Sequence, residues 1–352
     1  MAELFEQIQA IVDDPAAPTF ANTLVMLERS GMLLRRAMAF FRVVASTNAN
    51  PVIQAVQGIV APKLVASSDA IYLNEKLFAR VEAVYTQRDA LKDPEARRLT
   101  EDYYRAFVHA GANLSEADKG TLRKLNEEEA VLINSFKSKL LGGTKESGFG
   151  TEDVQALAGL SQAKLSSAVA AAREKGQPRY WIPLQAVTQQ PLLAELSNRD
   201  TRRALFEKGW NRTEHGGNND SRQTIARIAK LRALKGKLLG YANYAEWKIE
   251  NQMAKSPEAV LRFINRRTET ALDWIMREVK DIQNVINSQA GGFPLAPWDW
   301  KFYSEQMRKS ESQTEEEDVT SYFEFENVLR NGVFYTARQL YGISFTELSR
   351  AE

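Results

Sequence analysis

Two histidines, His109 and His215, are the whole complement of the 352 residues, and cysteine is absent. A zinc centre built on one helix needs two histidines four residues apart, so that both imidazoles face one ion, with a glutamate beside them as general base. His109 and His215 do not meet that spacing. His109 closes the segment Phe107-Val108-His109-Ala110-Gly111, where it reads as a surface histidine near the negative end of a helix. His215 follows Glu214 and precedes Gly216-Gly217-Asn218-Asn219-Asp220, a polar turn that reads as a solvated loop. Without cysteine there are no disulfides, thiolate nucleophiles or thiolate metal ligands. No Gly-x-Ser-x-Gly elbow, P-loop or Gly-x-Gly-x-x-Gly turn occurs, so serine-hydrolase chemistry and these phosphate cradles find no support either. The readable catalytic residues, and the readable metal ligands, are therefore none.

The elements that would position any site are helical. Glycine and proline are sparse, at 19 and 11, and long stretches of Ala, Leu, Glu, Lys, Arg and Gln lie between them. Ser256-Pro257-Glu258 is a strong helix start, with an apolar stripe after it at Val260, Ile264, Leu272, Ile275, Val279, Ile282 and Ile286. Gly291-Gly292 is expected to end that helix after a rod on the order of 50 Å. A second long helix is expected from Ser115, with Asp118 as capping partner, burying Leu122, Leu125, Leu132, Phe136 and Leu140 and turning Glu127-Glu128-Glu129 outward. Gly142-Gly143 should terminate it, leaving 142–150 as a flexible loop. The pattern resumes near Ser161 and ends at Gly176, Tyr180-Trp181-Ile182 between Pro178 and Pro183 reads as a short strand, and Pro191 is expected to restart a helix. The acidic run Glu315–Asp318 precedes an aromatic cluster, Tyr322-Phe323-Glu324-Phe325. The fold class is all-α, an elongated array of long antiparallel helices, with a division into 1–145 and 146–352.

Charge and hydropathy limit the partners. With 46 basic against 45 acidic side chains, no net field draws the chain to nucleic acid or an anionic membrane. No stretch approaches the roughly 18 uninterrupted apolar residues of a membrane helix. Met1 to Ala10 lacks the pattern of a secretory signal, so the cytoplasm is the default compartment, with the periplasm as the alternative. Arg202-Arg203 and Arg266-Arg267 read as solvated basic pairs, and the six tryptophans are expected to be mainly buried.

Several blocks carry a resemblance. DPAAPTFANTLVMLERSG from Asp14, LVASSDAIYLNEKLFARV from Leu64 and PLQAVTQQPLLAELSNRDTR from Pro183 are three of them. LLGYANYAEWKIENQMAKSPEAV from Leu238, LAPWDWKFYSEQMRK from Leu295 and YFEFENVLRNGVFYTARQLYGISF from Tyr322 continue it. In order and spacing these resemble the thimet-oligopeptidase-like zinc metallopeptidases, closest to their bacterial peptidyl-dipeptidase (dipeptidyl carboxypeptidase) branch. The resemblance implies one half of a helical clamshell around a narrow substrate channel, in an enzyme that releases C-terminal dipeptides from oligopeptides. It further implies that the zinc motif, His-Glu-x-x-His with a distant glutamate, lies past Glu352, and that the family carries further residues ahead of Met1.

The expectation is thus a non-catalytic channel portion, without zinc of its own and inactive alone. Its partners would be oligopeptides or the missing catalytic half, or a second copy meeting an exposed apolar face. A peptide- or protein-binding helical scaffold and one half of a split metallopeptidase are the alternatives. Candidate substrate- or partner-contact residues are Trp298, Asp299, Tyr303, Tyr322, Phe325 and Phe334.

Overall fold

Side-chain caps set many of the helix starts in the computed structural model, which describes residues 1–48, 50–177, 179–289, 291–311 and 321–348. Pro178 and the acidic run Glu315–Asp318 lie outside the described residues. The structure is predominantly helical, and its sheet has two antiparallel strands. Backbone contacts group the chain into two units that are discontinuous in sequence, 1–147 with 211–270 and 148–210 with 271–352. The sequence reading drew a single cut between 145 and 146.

The first unit opens with α1 (Ala2–Val12), α2 (Met26–Arg29), α3 (Met32–Thr47), α4 (Pro51–Tyr72), α5 (Glu75–Thr86) and α6 (Pro94–Ala110). Leu4, Ile8 and Ile11 from α1 pack with Leu77, Phe78, Val81 and Val84 from α5 and with Phe107 from α6. Stacking of Tyr85 on Tyr104, centroids 3.9 Å apart and nearly parallel, extends this core along the α5–α6 seam. Arg80, itself buried, donates to the carbonyl of Asp14 at 2.8 Å and so ties the loop after α1 to α5.

α7 (Glu116–Glu146) begins where the sequence indicates, with the Ser115 side chain accepting from the Asp118 amide. It packs against α4 and against α11 (Arg222–Leu238), and α12 (Tyr244–Ile249) lies beside α11. Of its expected buried residues only Leu122 is fully covered, Leu125, Leu132 and Phe136 are half-buried, and Leu140 is exposed. Glu129 does not face outward: it is buried, accepting from Lys235 at 2.6 Å and from Arg232 at 2.8 Å.

α7 also runs through Gly142 and Gly143 instead of stopping there. A side chain at Gly143 would sit 2.9 Å from the Arg212 carbonyl oxygen, and one at Gly142 would meet Asn219. These glycines serve close approach, not termination.

The second unit contains β1 (Gly148–Thr151), α8 (Gln162–Lys175), β2 (Tyr180–Pro183), α9 (Ala186–Glu195) and α10 (Arg199–Trp210). β1 occupies what reads in sequence as a flexible loop. It pairs antiparallel with β2, Phe149 opposite Ile182 and Gly150 opposite Trp181, and the absent side chain of Gly148 leaves room for the Trp181 indole. Ile182, Leu184, Leu193, Leu196 and Leu205 form the core beneath. Pro191 lies inside α9, whose first turn precedes it, and does not restart a helix.

Gly159 has φ +99°, and a Cβ there would collide with the Glu195 carbonyl oxygen. Left-handed strain and overpacking act together at that point. Gly159→Ala is expected to cost roughly 2–4 kcal/mol in denaturant unfolding, and a loss below about 0.5 kcal/mol would contradict this account.

α13 (Pro257–Ser288) starts under the Ser256 hydroxyl, which accepts from the Ala259 amide at 3.2 Å. It ends one turn earlier than the glycine pair implies, and the Gly291 amide then caps the Ile286 carbonyl at 3.0 Å. Ile282 and Ile286 are fully buried with Tyr303 from α14 (Trp300–Glu311).

Candidate functional site

The dipeptide Trp298-Asp299 reads in sequence as a contact surface, and its surroundings explain why Asp299 is not one. Arg199 and Arg202 stand three residues apart on α10 and therefore share a face. Both reach the Asp299 carboxylate, which is completely buried at the start of α14. Arg199 Nη2 donates to Oδ2 at 2.8 Å and its Nε to Oδ2 at 3.0 Å, while Arg202 Nη2 donates to Oδ1 at 2.8 Å. The Ala296 amide adds a contact to Oδ2 at 3.3 Å. Arg202 Nη1 donates in turn to the carbonyls of Leu196 and Ser197, at 2.9 and 3.1 Å. The guanidinium groups lie over aromatic rings, Arg199 at 3.9 Å from Phe293 and Arg202 at 4.2 Å from Phe302.

Arg202 is therefore not a solvated partner of Arg203 but one of the most deeply buried side chains of the chain, whereas Arg203 is exposed and pairs with Glu207. With every Asp299 oxygen engaged, the group holds α10 to α14. It offers neither a free general base nor a nucleophile.

Of the six candidate contacts, Trp298, Asp299 and Tyr303 gather around this cluster. Trp298 is half-buried, edge-on to Phe206 with the Arg203 guanidinium 5.2 Å from its ring. Tyr303 is buried, its ring edge-on to Phe302. Phe334 is half-covered by Phe345, stacked at 4.3 Å, whereas Tyr322 and Phe325 stand exposed. Sequence reasoning missed Arg199, Arg202 and Phe293. Their signal was a single aspartate between two tryptophans in an otherwise apolar segment, a charge that needs an internal partner.

His109 departs from its expected role. Its ring stacks on Trp247 at 4.6 Å, its Nε2 lies 2.8 Å from the Trp247 carbonyl oxygen, and the Trp247 indole donates to the His109 carbonyl at 3.0 Å. It is a half-buried clamp between α6 and α12, not a free surface group. His215 is exposed in its turn, where the Asp220 carboxylate accepts from the Gly216 amide and from Arg222. Among the tryptophans only Trp181 is buried, and Trp210 and Trp274 are largely exposed.

Apolar side chains among the described residues are exposed along α13 and the segment 321–348. Ile264, Leu272 and Ile275 lie on the same stripe as Ile282 and Ile286, yet they are 49%, 51% and 43% exposed where the latter are 0%. Phe323, Tyr335, Leu340, Tyr341 and Leu348 are likewise bare. A stripe that is dry at one end and wet at the other is an incomplete packing surface.

Residues 192–352 match the model of peptidase family M3. A dipeptidyl carboxypeptidase of Salmonella typhimurium is 44% identical over 343 residues, which is 97% of this chain and 50% of that protein. The chain is thus similar to peptidase family M3 in its matched segment and to a dipeptidyl carboxypeptidase along nearly its whole length. A dipeptidyl carboxypeptidase of Escherichia coli K12 is 43% identical over the same shares. Oligopeptidase A of Haemophilus influenzae is 27% identical over 255 residues, 71% of this chain and 37% of that protein. The chain thus spans about half the length of the two dipeptidyl carboxypeptidases it matches.

Family M3 is zinc-dependent, so the donor set present here decides whether these residues fit the ion. They do not. No group of three or more His, Cys, Asp or Glu side chains converges among the described residues, His109 is committed to Trp247, and His215 stands in an exposed turn. No helix of the described residues is long and apolar enough to cross a membrane.

Proposed function

We propose that this chain forms the non-catalytic, substrate-channel portion of a zinc peptidyl-dipeptidase, and that a catalytic half bearing the zinc motif covers the bare stripe of α13. The carrying observation is that stripe, buried at Ile282 and Ile286 and uncovered at Ile264, Leu272 and Ile275. Burying three such side chains is worth about 1.5–3 kcal/mol each before the cost of association, ample drive for a specific interface. Similarity to dipeptidyl carboxypeptidases along 97% of the chain, and over half of theirs, supports the same reading. Peptides would meet this portion as a wall that orients them. The nucleophilic water and its metal would come from the covering half.

The test is complementation. The chain is titrated with the separately produced C-terminal half of the Escherichia coli relative, and zinc content and cleavage of a fluorogenic peptide with a free C-terminus are followed. Activity is expected only in the mixture, and the double variant Leu272→Lys, Ile275→Lys should lose it by at least tenfold. Stoichiometric zinc with turnover by the chain alone would overturn the proposal. Saturable peptide binding without any complementation would assign the chain instead as a peptide-binding scaffold.

A further inference from the structure

In the first unit, α3, α4 and α7 leave between them a groove of about 300 Å³, at the lower end of the range that holds small ligands. Phe41 from α3, Val60 and Leu64 from α4 and Leu141 from α7 give it an apolar side, Gln54, Gln57 and Asn134 bring side-chain amides to it, and Arg42 and Lys137 are its only charged lining residues. Both cations are exposed, and neither forms a hydrogen bond or ion pair with any described residue.

The surroundings do not neutralise them. α3 carries Arg35, Arg36 and Arg42 and no acidic residue. On α4 the single carboxylate, Asp69, accepts from Asn126, and on α7 Glu116, Asp118 and Glu146 accept from Lys119, Ser115 and Asn219, while Glu128 and Glu129 are held by Arg227 and by Arg232 with Lys235. Glu127 stands ten residues before Lys137, about 15 Å along the helix. The groove therefore combines an apolar side with two cations that no carboxylate of these helices contacts. A ligand complementary to both has one anionic head and an apolar body.

We propose that this groove is a binding site for a carboxylate bearing a single unbranched apolar chain, its head held by Arg42 and Lys137 and its tail lying against Phe41, Val60, Leu64 and Leu141. Nothing in the proposed peptidase role requires this site, so the two readings stand or fall separately.

Isothermal titration of the whole chain with decanoate, kept below its micellar range, tests it. One saturable site per chain is expected. Decanol, which lacks the charge, and decyltrimethylammonium, which reverses it, should bind at least tenfold more weakly. Arg42→Gln combined with Lys137→Gln should weaken decanoate by at least tenfold with an unchanged far-UV spectrum, and Val60→Trp should block binding by filling the groove. A photoreactive decanoate analogue should label α3, α4 or α7, a readout that needs no variant to fold. Unsaturable uptake, equal affinity for decanol, labelling confined to other helices, or preferential displacement by an oligopeptide ending in an apolar residue would each overturn the assignment.

Discussion

Asp299→Ala is expected to destabilise the second unit by about 3–5 kcal/mol, because it strands the buried Arg202 guanidinium without its counter-charge. Arg202 is 1% exposed and cannot turn to water, and its two backbone acceptors at Leu196 and Ser197 do not cancel a full charge. Arg202→Ala should cost about as much, since it leaves the fully buried Asp299 with Arg199 alone. Arg199→Ala should cost less, on the order of 1–2 kcal/mol, because that side chain is 35% exposed and its contribution is screened. Replacing the pair together, Asp299→Leu with Arg202→Met, should recover most of the loss, since removing both charges removes both desolvation penalties. Urea unfolding followed by tryptophan fluorescence measures all four variants. A loss below about 1 kcal/mol for Asp299→Ala would mean that the carboxylate is not the anchor of α10 and α14 that its distances indicate.

That pair also marks the limit of what could be read in advance. The long helices were legible because their signals are local: Ser256-Pro257 and Ser115 with Asp118 satisfy first-turn amides wherever they occur, and the stripe from Ile264 to Ile286 repeats within one element. The glycines of 142–150 misled because glycine has two uses, and only the approach of Arg212 and of Trp181, remote in sequence, shows that close packing and not termination is the one employed. Arg202 looked solvated because the aspartate that buries it lies 97 residues away. The same holds for Glu129, which belongs to an acidic run that is outward-facing in pattern yet meets Lys235 and Arg232 from α11. For the candidate contacts the aromatic composition was legible, but whether Trp298 and Tyr303 are covered and Tyr322 bare depends on tertiary neighbours.

Glu129→Gln is expected to cost the first unit about 3 kcal/mol at neutral pH and to lose that cost in acid. The Glu129 carboxylate is 9% exposed and bridges Lys235, 8% exposed, and Arg232, 40% exposed. On substitution Arg232 can swing into water, but Lys235 remains buried beside the Trp247 ring with an amide in place of a counter-ion. Burial by itself pushes the Glu129 carboxyl up, yet the hydrogen bonds from Lys235 and Arg232 outweigh it and hold the group below the ordinary glutamate range. The sign follows. A folded value depressed below the unfolded one gives stability that is complete above about pH 4.3, the unfolded glutamate value, and is lost as the pH falls through the folded value. The gap between the native chain and Glu129→Gln should therefore be constant from neutral pH down to about 5 and narrow below that. Denaturant midpoints collected across that range measure it. A gap that stays constant into strong acid would show that the substituted amide fails through its shape, whereas convergence would show that the charge shared between α7 and α11 is what holds the two helices in register.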